Sequence, residues 1–197
     1  MGSFLVRTYL IRYPGAADGA VIMGTGQMAP VIIAGAKSVA AREARRIGEE
    51  QVSSLVEKLA FGTYNKVFAP NRTGYDWLSI NTDNVDRYIA DPLCGGNASI
   101  GLFREMLSGL AFISKAENLK KMNLNTPILF ISGGMDPVGD CGKGVKKAYE
   151  SFRKAGVRDV SLKLYPELRH EILNETCREL VYEDIYHWLS GKLLVTK

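Results

Sequence analysis

Acid–base chemistry in this chain can come from few residues, because the sequence contains only two histidines, His170 and His187. His170 follows an apolar segment in the sequence LYPELRHEILNE. Asp136 follows another in ILFISGGMDP, where two glycines allow a turn and Pro137 stiffens the exit. An aspartate that accepts the Nδ1 proton of a histidine fixes its tautomer and stabilises the imidazolium. Asp136 and His170 are therefore candidates for the acid and the base of a hydrolytic triad.

The elements around these two residues predict a parallel sheet. The C-terminal third alternates between strands, at 128–131 and 159–165, and helices, at 142–155 and 176–189. This alternation is typical of parallel strands joined by right-handed crossovers, and the apolar run Ala20–Met23 indicates one more buried strand. In open α/β sheets, ligands bind at the carboxyl ends of the strands, where Asp136 and His170 both stand. The predicted fold class is α/β.

Helices are expected in the remainder of the chain. Residues 1–13 and 98–122 carry apolar side chains at helical spacing. Residues 31–59 are also helical in pattern, and we expect Gly35 and Gly48 to divide them.

Residues 61–97 lose this periodicity but contain many aromatic side chains among Gly, Asn, Asp and Pro. A long segment of this kind is typical of a lid or a binding loop. The alternative is that its aromatic rings only pack on one another.

Charge and cysteine content exclude several classes of function. The 25 basic residues are matched by 21 acidic ones, and the basic cluster Arg42, Arg45 and Arg46 is interleaved with glutamates. This pattern favours a solvated helix face over a nucleic-acid site. The three cysteines show no CxxC spacing, so neither a disulfide framework nor a zinc site is expected. No apolar run is long enough to span a membrane and no signal peptide is evident, so we expect a cytoplasmic protein.

Two further patterns are alternative candidates for a functional site besides the Asp136–His170 pair. His187 lies off the apolar face of the last predicted helix, which favours a surface histidine. Gly24 and Gly26 form a GxGxxA sequence after the first predicted strand, as in dinucleotide-binding proteins. No predicted strand ends in an acidic residue about 20 positions later, which argues against that site. A nucleotide-binding oxidoreductase remains the alternative that this motif would support.

The segments GGMDPVGDCGKGV and SLKLYPELRHEILNE resemble the C-terminal part of bacterial α/β-hydrolases of the lysophospholipase and monoacylglycerol lipase type, also grouped with serine aminopeptidases. The resemblance covers essentially the whole chain, since DWLS and ADPLCG are similar to that family's cap and MGSFLVRTYLIRYP to the helix after its nucleophile. It implies the C-terminal portion of an α/β-hydrolase fold. Residues 1–29 and 123–197 would form the core, with a largely helical cap at 30–122.

The resemblance also assigns roles to individual residues. The family's acid lies in G-x-x-D-P-V-G and its base in R-H-E-x-x-N-E, which match here at Asp136 and His170. Its nucleophile elbow reads G-H-S-M-G-S, and this chain begins at M-G-S, so the nucleophile would immediately precede Met1. The backbone N–H of Met1 would then occupy an oxyanion position. Ser3 is no substitute, because it lies inside the predicted helix, past the required turn.

The activity implied by the resemblance is hydrolysis of carboxylic esters through an acyl-enzyme, without a metal or an organic cofactor. The substrate would be a small or lipid-like ester, with Tyr75, Trp77 and Leu78 of the cap contacting it. We expect the chain alone to be inactive, because an acid and a base without a nucleophile cannot form an acyl-enzyme. The alternative is a non-catalytic module of the same fold that binds apolar ligands or a partner. A further expectation is that the strand Ala20–Met23 presents an unpaired edge that favours aggregation.

Overall fold

The computed structural model of the chain describes residues 1–193. Its helices are α1 (Gly2–Arg12), α2 (Pro30–Ile47), α3 (Ser54–Phe61), α4 (Thr82–Ala90), α5 (Ile100–Ile113), α6 (Ala116–Leu119), α7 (Lys143–Ala155) and α8 (Arg178–Leu193). Its strands are β1 (Ala20–Met23), β2 (Ile128–Gly133) and β3 (Val160–Tyr165). Short 3₁₀ helices lie at Tyr64–Phe68, Asp76–Leu78 and Pro137–Gly139.

The three strands form one parallel sheet in the order β1-β2-β3. Ala20 pairs with Ile128, which pairs in turn with Val160. The central strand β2 is buried along its whole length, as its apolar sequence predicted. Within the described chain β1 pairs only with β2, and it is less buried than expected because only Ile22 is fully covered. That this edge drives aggregation stays a prediction.

Residues of β2 alternate between two hydrophobic clusters on opposite faces of the sheet. Phe130 belongs to the larger cluster and meets the ring of Phe152 edge-on at 5.0 Å between centroids. Leu129 and Ile131 belong to the smaller cluster, which also contains Ile172. Full burial of a side chain of this size contributes about 1.5–3 kcal/mol, so β2 anchors both faces.

Helices from the predicted cap share the larger cluster with the sheet. Ile33 of α2 and Ile100 of α5 are fully buried in it, together with Leu10 of α1. The division of the chain at residues 30 and 122 stays a prediction, but these two helices pack as part of the core.

The predicted helix at 31–59 is divided at Gly48 but not at Gly35. Gly48 ends α2 with φ at 98°, which suits glycine, whereas Gly35 lies inside α2 facing open space. The expected solvated face of α2 is wrong at Glu43, which is buried. Its carboxylate accepts hydrogen bonds from Arg46 of the same helix and from Ser53, the N-cap of α3, so it joins the two helices.

Residues 61–97 contain a helix that the sequence analysis missed. Asn81 caps α4 by accepting a hydrogen bond from the backbone of Asp83, and Val85 is its one fully buried apolar residue. Val85, Tyr88 and Ile89 stand at helical spacing, but this pattern spans little more than one turn among polar residues. The predicted helix at 98–122 is in turn interrupted at Ser114, which ends α5.

Candidate active site

Asp136 is delivered by a turn in which two backbones nearly touch. A β-carbon at Gly133 would overlap the carbonyl oxygens of Leu168 and Arg169, and one at Gly134 would lie 2.7 Å from the carbonyl oxygen of Pro166. The glycines therefore let the end of β2 pass directly under the loop that follows β3. That loop carries His170.

The carboxylate of Asp136 is fully buried and held on both oxygens. Oδ1 accepts a hydrogen bond from the backbone N–H of Val138 at 2.9 Å. Oδ2 accepts one from the Ser132 hydroxyl at 3.3 Å and lies 2.9 Å from Nδ1 of His170. An ionised carboxylate only accepts, so Nδ1 carries the proton and Nε2 is left as the basic nitrogen. The His170 side chain is 26% exposed, so solvent or substrate can reach it.

The loop that follows β1 also contacts this pair. Gly24 follows β1 with φ at 56°, and a β-carbon there would stand 3.0 Å from Cε1 of His170 and 3.5 Å from Oδ2 of Asp136. A β-carbon at Gly26 would collide with the carbonyl oxygen of Val138. Close backbone packing around the Asp136–His170 pair thus accounts for both glycines of the GxGxxA sequence.

The loop after β1 is fixed by Arg7, which the sequence analysis did not single out. Its guanidinium is fully buried, and Nη1 donates to Thr25 Oγ1 at 3.3 Å and to the carbonyl oxygen of Gly26 at 2.9 Å. Nη2 donates to Gln27 Oε1 at 2.5 Å. Within residues 1–193 no carboxylate pairs with it, and burial lowers the pKa of Arg7 to about 10. The signal in the sequence was a charged residue among the buried positions of α1.

The amino group of Met1 is partly buried and responds to the charge of the acid. Burial lowers the pKa of its amino group, and the negative charge of Asp136 opposes that shift. The Met1 side chain itself is 60% exposed. Ser3 lies in the first turn of α1, as expected.

The three residues predicted to contact substrate lie in different environments. The ring centroid of Trp77 is 5.4 Å from that of His170. Leu78 is only 3% exposed, so its side chain does not face an open surface. The Tyr75 ring packs against Tyr88 at 5.2 Å.

Tyr64 is an aromatic neighbour to which the sequence analysis gave no individual role. Its ring lies 5.2 Å from Trp77, edge to face. The pKa of its hydroxyl is raised, first by burial and then by the negative charge of Asp136. Tyr64 and Trp77 thus continue the aromatic surface that begins at His170.

Arg169 and Glu175 are two further missed residues, on either side of His170. Glu175 is fully buried and accepts hydrogen bonds from Ser79 and from backbone N–H groups. Arg169 donates to the carbonyl oxygens of Asp76 and Ser79. Both residues stand in the quoted R-H-E-x-x-N-E segment, but only their partners in space reveal what they bind.

Other kinds of site find less support in the described structure. Within residues 1–193 no group of three or more His, Cys, Asp or Glu side chains could hold a metal ion. Cys94, Cys141 and Cys177 are free thiols, and His187 lies exposed on α8. None of the helices described here has the length and apolar character to cross a bilayer.

The serine aminopeptidase S33 family matches this chain over residues 1–177, a range that includes both Asp136 and His170. The chain belongs to this family. Among characterised relatives, it is 27% identical over 202 residues to a monoacylglycerol lipase of Mycolicibacterium smegmatis. The match covers 98% of this chain and 60% of the relative, so this chain spans about 60% of that protein's length.

Solved structures confirm the predicted fold class. A thermostable carboxyl esterase from Bacillus coagulans, in complex with glycerol, superposes with a TM-score of 0.87 at 24% identity, covering 96% of this chain and 62% of the esterase. A monoacylglycerol lipase of Paleococcus ferrophilus gives 0.69 at 20% identity, covering 96% and 65%. This chain therefore has the α/β-hydrolase fold.

Proposed function

We propose that this chain carries the acid–base pair of a serine hydrolase that acts on carboxylic esters. The observation that carries the proposal is the 2.9 Å contact between Oδ2 of buried Asp136 and Nδ1 of His170, at the ends of neighbouring parallel strands. Relatives that are monoacylglycerol lipases and a carboxyl esterase support an ester with a lipid-like acyl chain as the substrate class.

In this proposal His170 Nε2 removes the proton of a serine hydroxyl as the serine oxygen attacks the ester carbonyl carbon. The imidazolium then returns the proton to the leaving alkoxide, which yields an alcohol and an acyl-enzyme. Water attacks the acyl-enzyme in a second step with the same proton transfers, and the acid is released. Asp136 holds the tautomer and stabilises the imidazolium throughout, and the chemistry requires neither a metal nor an organic cofactor.

The nucleophile in this proposal is a serine at the position that precedes Met1 in the family's elbow motif, and the N–H of Met1 is an oxyanion donor. The match of Met1-Gly2-Ser3 to the last three residues of the family's G-H-S-M-G-S elbow supports this placement. Residues 30–122 form the cap between the core segments 1–29 and 123–197. Trp77 and its neighbour Tyr64 offer the acyl chain an aromatic wall beside His170.

The test compares the purified 197-residue chain with a longer fusion. The chain alone is expected neither to hydrolyse p-nitrophenyl butyrate nor to react stoichiometrically with a fluorophosphonate. Adding the segment of the Mycolicibacterium smegmatis monoacylglycerol lipase that ends in its elbow serine is expected to produce hydrolysis, which His170→Ala abolishes. A folded fusion that binds apolar ligands but hydrolyses no ester supports the non-catalytic alternative. Turnover and stoichiometric labelling of the chain alone contradict the placement of the nucleophile.

A further inference from the structure

The loop that carries His170 is bonded along its length to a distant part of the chain. Residues 76–81, here called the Trp77 segment, lie against residues 169–175, here called the His170 loop. The backbone N–H of Glu171 donates to the carbonyl oxygen of Leu78 at 2.8 Å. The side-chain amide of Asn81 donates to the carbonyl oxygen of Asn174 at 3.1 Å. These two bonds hold the segments side by side.

Glu175 is the centre of this contact. Its carboxylate is fully buried and accepts four donors, of which three belong to the Trp77 segment: the Ser79 hydroxyl at 2.7 Å and the backbone N–H groups of Ile80 at 3.1 Å and Asn81 at 3.2 Å. The fourth is the backbone N–H of Arg169 at 3.3 Å. A buried carboxylate is tolerated only where donors satisfy it, so the two segments share one set of bonds at its oxygens.

Arg169 joins the same segments from the other side of His170. Its Nη1 donates to the carbonyl oxygen of Asp76, and to that of Ser79 at 3.2 Å. Its guanidinium lies 4.0 Å from the ring centroid of Phe68. The side chains of Arg169 and Glu175 therefore form hydrogen bonds to the Trp77 segment on both sides of the tryptophan.

Trp77 itself is placed by this arrangement. Its backbone N–H donates to Asn65 Oδ1 at 2.9 Å, while its ring lies at 5.4 Å and 44° to the ring of His170. No hydrogen bond from the Trp77 side chain to another described residue accounts for that orientation. The orientation follows from how the segment is bound and from the Tyr64 ring, whose centroid lies 5.2 Å from that of Trp77.

We propose that Glu175 is a positioning residue that binds the Trp77 segment to the His170 loop, so that Trp77 is a fixed wall beside the base and does not swing away from it with a lid. That this wall contacts an acyl chain rests on the proposed function. The positioning of Trp77 by Glu175 does not depend on the proposed function.

The test uses Glu175→Gln in the 197-residue chain. The glutamine amide keeps only one acceptor oxygen, so in either orientation its NH2 group faces a backbone N–H that the carboxylate accepts, that of Ile80 with either Arg169 or Asn81. The segments are therefore expected to separate locally. Nuclear Overhauser contacts between the Trp77 and His170 rings should disappear, and the tryptophan emission should shift to the red. The signals are assignable because the chain has only two tryptophans and two histidines. Glu167→Gln is the matched control, since Glu167 is an exposed carboxylate of the neighbouring turn without a bonding partner in the described chain.

Thermal unfolding followed by circular dichroism shows whether Glu175→Gln still folds. If it does not, Ser79→Ala removes a single donor and is expected to weaken the same ring contacts. The proposal is overturned if the ring contacts persist unchanged in a folded Glu175→Gln chain. The same result in Ser79→Ala overturns it where Glu175→Gln does not fold.

Catalysis gives a second readout that separates this inference from the proposed function. In the ester-hydrolysing fusion, Glu175→Gln should raise KM for p-nitrophenyl octanoate on the order of tenfold, the size of a lost apolar contact in a pocket. Because Trp77 contributes binding alone, kcat should change much less. Loss of the ring contacts without any ester hydrolysis would sink the proposed function and leave the inference standing. Ester hydrolysis together with ring contacts that survive the substitution would support the proposed function and overturn the inference.

Discussion

Gly24 lies directly against the imidazole of His170, since a β-carbon at residue 24 would stand 3.0 Å from Cε1 of that ring. Its φ of 56° is also unfavourable for a residue with a side chain. Gly24→Ala is therefore expected to lower the free energy of unfolding by about 1–2 kcal/mol and to displace His170. Urea unfolding and the His170 ring signals in NMR spectra measure the two effects.

Gly35→Ala is the control for that substitution. Gly35 lies inside α2 with open space around it, so alanine should stabilise the chain by about 0.5–1 kcal/mol and leave the His170 signals unchanged. Equal effects of the two substitutions would contradict the contact between Gly24 and the ring.

Asp136→Asn tests the acid in the ester-hydrolysing fusion. The asparagine amide cannot hold His170 as the buried carboxylate does, so kcat should fall on the order of 10⁴-fold while the fold is retained. Asp140→Asn is the matched control, because Asp140 is an exposed carboxylate in the same turn and its φ of 51° suits asparagine. A small loss of kcat in Asp136→Asn would exclude it as the orienting acid.

Arg7→Met tests the buried guanidinium. Methionine removes a buried charge, but it leaves the acceptors on Thr25, Gly26 and Gln27 without their donor. We expect the lost hydrogen bonds to dominate and to lower the free energy of unfolding by about 1–3 kcal/mol. Arg12→Met, an exposed position on the same helix, should cost less than about 1 kcal/mol. A more stable Arg7→Met chain in urea unfolding would show that relief of the buried charge prevails.

Glu43 predicts a dependence of stability on pH. Hydrogen bonds from Arg46 and Ser53 lower its pKa from 4.5 to about 2 in the folded chain. Between these values the unfolded chain binds more protons, so the contribution of Glu43 is complete above pH 4.5 and is lost as the pH falls towards 2. Urea unfolding should therefore show a difference between wild type and Glu43→Gln that shrinks on acidification.

The control for this pH dependence is Glu50→Gln, which alters an exposed carboxylate close to Glu43 in the sequence. Its difference from wild type should stay small at every pH. A difference in the free energy of unfolding between wild type and Glu43→Gln that stays constant across the acidic range would argue against the hydrogen bonds of Glu43 to Arg46 and Ser53.

The sequence predicted the features that depend on neighbouring residues. β2 and β3 were predictable because apolar runs mark them, and α7 because its end at Gly156 is a left-handed cap. The pairing of Asp136 with His170 followed because each residue comes directly after a strand of a parallel sheet. These inferences need only local pattern and one topological rule.

The remaining parts of the site depend on contacts between distant positions. Glu175 meets Ser79 across 96 positions, and Arg7 meets Gly26 across 19, so no periodicity records either bond. The resemblance placed Leu78 with Trp77 at the substrate, and that role stays a prediction. In the structure Leu78 is 3% exposed, because consecutive residues of a 3₁₀ helix face different directions. Helix α4 escaped detection because its apolar pattern, Val85, Tyr88 and Ile89, covers little more than one turn of a nine-residue helix.

The backbone crossing at Gly133 and Gly134 has a consequence for how this chain can vary. The space that side chains would fill there is occupied by main-chain atoms of residues 166–169, which no substitution elsewhere can make smaller. In a saturation library selected for folded protein, we expect both positions to accept almost no replacement although neither glycine has a side chain that could take part in the chemistry. The depleted positions of such a library would therefore mark where two chain segments cross as well as where chemistry occurs.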